Sequence, residues 1–197
     1  FFTNNQKMLY GYGHFTFKKN FHGYLYPRIV DDPEKFSGYS GISREIERYG
    51  FSSGETDISG IVYENDWMIL QYGRGRQSWG VGDDIQLALS EKSNSYDYGM
   101  LDLDFEKLRV RYFHGYLESD SSLVNRYITG RGIEWNNNTN LLIGLSEIVI
   151  YSGLNRPIDF SYLNPITTHL EVELNDRQNN QGTDNGNGVW QLSLDYL

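Results

Sequence analysis

Charged side chains are the chemistry this chain offers most plainly. Arg74 and Arg76 lie in the stretch from Gln71 to Gly82 (QYGRGRQSWGVG), beside four glycines and Trp79. Glycine lets a backbone take φ > 0 or approach another group closely. The stretch could therefore be a sharp connection, an anion site or the wall of a polar cavity. Gly73-Arg74-Gly75 does not continue as GxGxxG, because position 78 is serine, so a dinucleotide fingerprint is absent. Further along, Asp102 and Asp104 alternate with Leu101, Leu103 and Phe105, and Arg109 and Arg111 alternate with Leu108, Val110 and Tyr112. Paired as a hairpin, these two segments bring Asp102, Asp104, Arg109 and Arg111 to one polar face.

Arg126, Arg131, Glu134 and Glu147, with Arg74 and Arg76, are the charged residues inside the sequence blocks that carry the family resemblance given below. They support two readings. They could hydrogen-bond a charged or hydroxyl-rich glycan, since the guanidinium fork suits carboxylates. Or they form a salt-bridge network, since enclosed charges must pair; Arg74 and Arg76 would then take partners among Asp102, Asp104, Glu134 and Glu147. Asp83-Asp84, Asp102/Asp104 and Glu171/Glu173 invite comparison with glycosidase carboxylates. Hydrolysis needs two carboxyl groups at a set separation across a sugar. Acids alternating along one strand are only its polar face, so the reading is non-enzymatic. His14, His22, His114 and His169 show no metal-ligand spacing. The Asn/Asp/Gly run from Asn175 to Gly188 lacks EF-hand spacing and reads as an external loop. No cofactor is expected. Tyr39, Tyr49 and Tyr162, in polar loops, are candidates for stacking on sugar rings.

The elements that position these residues read as strands. The 197 residues suit one domain and contain 16 tyrosines, 10 phenylalanines and no cysteine. Tyrosine at this density belongs where one end of a side chain is apolar and the other wet. A net charge of -9 argues against nucleic acid as a partner. No apolar run is long enough for a spanning helix, a test to which β-barrel strands are invisible. Alternation marks strands at Tyr10 to Lys18, Phe21 to Val30, Ile58 to Glu64, Trp67 to Tyr72, Ile85 to Ser90, Leu101 to Phe105 and Leu108 to Leu117. Others follow at Leu123 to Trp135, Leu141 to Tyr151 and Val189 to Leu197. Pro27 places the second at an edge or ends it. Residues 31–54 read as a long loop, with one or two helical turns capped by Ser43. Asn65-Asp66 and the asparagines at 136–138 and 140 read as turns.

About ten strands and no long helix leave two all-β architectures open. A soluble sandwich turns its apolar face inward. A transmembrane barrel turns it toward lipid and lines its lumen with charge. Aromatic residues near strand ends (Tyr10, Tyr72, Phe105, Trp135, Tyr151 and Trp190) are placed as an interfacial girdle would be.

Several blocks add a family resemblance: Gly73-Arg74-Gly75-Arg76-Gln77-Ser78-Trp79-Gly80 with Leu89-Ser90, then Tyr112 to Leu117, Arg126 to Glu134, Gly144 to Glu147 with Tyr151, and Tyr162 to Pro165. In this order they resemble the Wzi-like capsule assembly proteins, over roughly residues 58 to 197. The resemblance implies an up-and-down, antiparallel transmembrane β-barrel in the outer membrane of a Gram-negative bacterium, monomeric when complete. Its implied role is to bind or anchor surface polysaccharide as a lectin, with outer-membrane lipid as its other partner. The chain departs from a complete member: it opens on Phe1 with no initiator methionine or signal peptide, and about ten strands are few for such a barrel. Residues 1–197 then read as a single barrel segment, incomplete at one or both ends. A secreted soluble β-protein that binds or hydrolyses glycans, and a passive pore, are the alternatives.

Overall fold

The computed structural model describes residues 7–36, 38–79, 88–89, 91–117, 119, 123–168 and 186–196. The strand expected over Ile85 and Leu87, the acids Asp83, Asp84, Glu171 and Glu173, His169 and most of the Asn175 to Gly188 run lie outside them.

Ten strands form one antiparallel sheet: β1 (Met8–Tyr10), β2 (Gly13–Phe17), β3 (Phe21–Val30), β4 (Ser53–Glu64), β5 (Met68–Gly75), β6 (Tyr96–Asp104), β7 (Leu108–Tyr116), β8 (Val124–Asn136), β9 (Leu141–Leu154) and β10 (Asn187–Tyr196). From β3 to β10 each strand pairs with the next. β1 and β2 share one side of β3, interrupted at Gly11-Tyr12. The chain is thus all-β and up-and-down. The expected barrel closure is not seen: β10 pairs only β9, and β1 and β2 pair only β3, so among the described residues the two sides of the sheet do not meet. Closure requires the first and last strands to hydrogen-bond.

Two local expectations are corrected. β3 is flanked on both sides, so Pro27 does not mark an edge. The missing N–H is accommodated where the β3–β4 register shifts between Tyr26 and Pro27, while the Pro27 carbonyl accepts from Gly11 N at 3.0 Å. Bulges are the other place a sheet admits proline. Among the described residues of the 31–54 loop the one short helix is a 3-10 turn at Pro33–Lys35, not a helix from Ser43. Residues 44–52 fold back on themselves instead: Arg44 N donates to Ser52 O, Arg48 bridges Phe51, and Tyr49 and Gly50 turn at positive φ.

The Asn-rich turn behaves as its composition demands. Asn138 sits at φ 60, and Asn137 Oδ1 accepts the backbone N–H groups of Thr139, Asn140 and Leu141 at 2.9, 3.0 and 3.0 Å. A turn whose donors converge on one side chain depends on that side chain. Asn137→Ala is expected to cost about 1–2 kcal/mol, read as a lower denaturation midpoint with the sheet intact.

The meander sorts its connections by length. β2–β3, β4–β5, β6–β7 and β8–β9 are joined by tight turns, all at one end of the strands. The long connections, 31–52, 76–95 and 155–186, all lie at the other end. The two faces also differ. One carries His22, Tyr24, Arg28, Gln71, Asp102 and Arg111, and the 76–95 connection folds onto it. There Trp79, Tyr96, Tyr98, Phe113, Ile128 and Ile148 make a core. The opposite face exposes Leu25, Ile61, Leu70, Tyr72, Leu192 and Leu194. Among the described residues it is covered only toward the long-connection end of β7–β9. There the segment after β9, including α1 (Phe160–Leu163), stacks Tyr162 on Tyr151 with ring centroids 4.3 Å apart.

Candidate functional site

The polar face is held by two ion-pair networks. In the first, Arg28 on β3 pairs with Glu55 and with Asp57, the latter at 3.1 Å, both on β4. Arg76 Nη2 reaches Asp57 Oδ1 at 2.6 Å, and both arginines donate to the Gly38 carbonyl. Glu55 in turn accepts from Ser40 N and Oγ at 2.8 and 2.6 Å. The loop is thereby stitched to the sheet, with Tyr39 folded under the Arg28 guanidinium. Burial pushes the Tyr39 phenol above its ordinary pKa, so it stays protonated and neutral through the physiological range.

In the second network, Arg109 donates to both oxygens of Asp102 at 2.9 and 2.6 Å. Arg111 Nε lies 3.5 Å from Asp102, and both arginines lie 3.9 Å from Glu134. Asp102 is buried, which this bidentate pairing makes tolerable. The hairpin register thus unites three of the four expected charges. Asp104 stays exposed and accepts from Glu106 N in the turn.

Arg74 and Arg76 do not reach Asp102, Asp104, Glu134 or Glu147. Register gives Arg74 its cross-strand neighbour Asp97, at 3.2 Å, and Ser40 Oγ at 3.4 Å. Arg76 takes Asp57 and the Ser93 carbonyl, the latter at 2.7 Å, which ties the two ends of the 76–95 connection together. The described residues of that connection fold inward as a strap. Trp79 N donates to Leu89 O, Ala88 N donates to Gln191 Oε1 on β10, and the Trp79 ring lies against Phe113 and Arg111.

Arg131 and Glu147 are not on this face. Cross-strand pairing places Arg131 beside Tyr112 and Glu147, in line with Tyr127, Ile133, Leu145 and Val149 on the apolar face. Both are buried, 3.5 Å apart, with Arg131 Nη2 donating to the Tyr162 carbonyl at 3.4 Å. Tyr151, expected in an exposed girdle, is buried here, as are Tyr39 and Tyr162. Of the three tyrosines proposed to stack on sugars, Tyr49 alone is exposed.

Arg126 differs from all of these. It is exposed on β8 and lines a cavity of about 500 Å3 between the strap and β8–β9. Its guanidinium has no hydrogen-bond or ion-pair partner among the described residues. Ser40, Ser93, Asn94, Ser95 and Ser119 supply polar walls, and Leu89, Leu117, Ile128 and Ile150 supply apolar surface. The Ser95 hydroxyl, in a residue only 4% exposed, also lacks a hydrogen-bond partner among the described residues. The sequence reading singles out Arg126 through its block of the family resemblance but not the serines, which come from three separate connections with no shared spacing. Arg28, Glu55 and Asp57 also escaped it, although part of their signal is present: Glu55 and Asp57 recur at strand period in β4. Compared with protein-family models, curated proteins and solved structures, the chain finds no match.

Proposed function

We propose that the sheet is the wall of an outer-membrane β-barrel of the Wzi-like capsule assembly kind, which holds surface polysaccharide at its long-loop end without chemical turnover. The observation that carries this reading is the double asymmetry of the meander. Tight turns gather at one end and long connections at the other, while one face is ion-paired and the other exposes apolar side chains. Outer-membrane barrels have short periplasmic turns, long external loops, a polar interior and an apolar exterior. An apolar face this large, left to water, would be an association surface.

One observation favours a second reading, a soluble β-protein. The segment carrying Tyr162 lies over β7–β9 as the start of a second layer would. The two readings part in a single experiment. Expressed with a leader for export, the chain is expected to fractionate with outer membranes and to run as a heat-modifiable band. It is also expected to retain polysaccharide without shortening it. A compact monomer that stays in solution without detergent overturns the barrel. Conductance without glycan affinity would leave only a pore.

A further inference from the structure

We infer that the Arg126 cavity is a subsite for one carboxylate-bearing sugar unit, a hexuronate, of the bound polysaccharide; the inference rests on the polysaccharide reading above. Most arginines near the polar face are spent. Arg28, Arg76, Arg109 and Arg111 all have carboxylate partners within 4 Å, and Arg74, at the strand parity of Tyr72, has Asp97. Arg126 keeps its donors and lines a cavity of ligand size, since small-molecule sites run from about 300 to 1,000 Å3.

The lining then selects the ligand. A guanidinium fork takes a carboxylate in two parallel hydrogen bonds. Serine hydroxyls and the Asn94 amide both donate and accept, which matches ring hydroxyls that do the same. Ile128, Ile150 and Leu117 offer apolar surface to the C–H face of a pyranose. The unpartnered Ser95 hydroxyl is buried at a cost that a bound hydroxyl would remove. A phosphate ester fits less well. It approaches two negative charges, whereas Arg126 is the only cationic side chain lining the cavity among the described residues, in a chain of net charge -9. The cavity also borders the 31–52, 76–95 and 117–123 connections, at the end of the sheet where the proposed barrel meets the cell exterior.

The test titrates the full chain in detergent micelles with trigalacturonate, its uncharged methyl ester and glucose 1-phosphate. Trigalacturonate is expected to bind, with about ten- to hundred-fold loss on esterification, the range for a charge-assisted hydrogen-bonded pair. Arg126→Gln should reproduce that loss with heat-modifiability unchanged. Arg126→Lys, which keeps the charge and loses the fork, should fall between. Arg44→Gln, in the exposed part of the 31–52 loop, should bind as the parent does. Equal binding of acid and ester, preference for the phosphate, or unaltered binding by Arg126→Gln overturns the inference. The ester comparison uses the unmodified chain and so holds even if a variant fails to fold. Polysaccharide retention that ignores Arg126 would sink the subsite and leave the polysaccharide reading standing. Arg126-dependent binding of trigalacturonate without retention of any polymer would do the reverse.

Discussion

Trp79→Ala is expected to destabilise the sheet by about 3–5 kcal/mol, the range for deleting a large buried aromatic side chain. Trp79 is 2% exposed and closes the polar-face core. Its ring centroid lies 5.4 Å from that of Phe113, and the Arg111 guanidinium lies 5.0 Å over it. It can come this close to β8 only because position 132 is glycine. A Cβ there would stand 2.7 Å from Trp79 Cζ3, closer than real Cβ contacts come. Among the described residues of the strap the other anchors are few, chiefly the Arg76–Ser93 and Ala88–Gln191 hydrogen bonds. Removing the ring leaves a void, uncovers Arg111 and frees the strap together. Gly132→Val should produce much of the same loss by pushing the ring off its seat. The double variant should cost clearly less than the sum, because both changes break one contact. Denaturation midpoints of the four proteins check this. A loss under about 1 kcal/mol for Trp79→Ala would mean that the strap is held elsewhere. In a bilayer the variant is also expected to conduct more than the parent, since the strap lies across the face that lines the proposed lumen.

How much of this is legible in the sequence depends on whether a residue acts through strand parity or through contacts between loops. The Asp102–Arg109–Arg111 network is legible. Two short alternating runs around a turn fix which side chains share a face, and the register of β6 and β7 delivers it. Parity also holds the position of Arg131. Arg131 stands two residues from Thr129 and Ile133, and Glu147 two from Leu145 and Val149, so both alternate with the apolar set rather than the polar one. Their charge suggests the lumen; their spacing says otherwise. The partners of Arg74 escape for a different reason. Asp97 becomes its neighbour only through the β5–β6 register, across a connection whose length no pattern predicts. The Arg126 cavity and the seat of Tyr162 belong to the same class. Both are made by irregular segments, whose side chains carry no period to read.

Glu147→Gln is the second large effect, expected to cost about 3–5 kcal/mol, because it leaves a buried guanidinium without its counter-charge. Arg131 has little else to lean on. Its Nε and Nη1 have no hydrogen-bond partner among the described residues, so Coulomb attraction to Glu147 at 3.5 Å does most of the compensation. The pair lies among Tyr112, Ile133, Leu145 and Trp190 and beneath the segment that carries Tyr162. In the proposed barrel this is the lipid-facing side, where a bare charge is costly near the bilayer midplane. The covering segment then screens the pair from lipid as it would from water. The pair itself is dispensable on the same physics. Arg131→Met with Glu147→Leu removes both charges and keeps the volume, so the double variant should match or exceed the parent in stability although Glu147→Gln alone fails. Folded fraction in a denaturant series measures both. If the single and double variants lose stability alike, the pair is needed for its geometry, as the anchor that holds Tyr162 over Tyr151, and the covering segment should then loosen in both. If neither loses stability, water reaches the guanidinium, and the apolar face near β8 and β9 is not the lipid surface proposed for it.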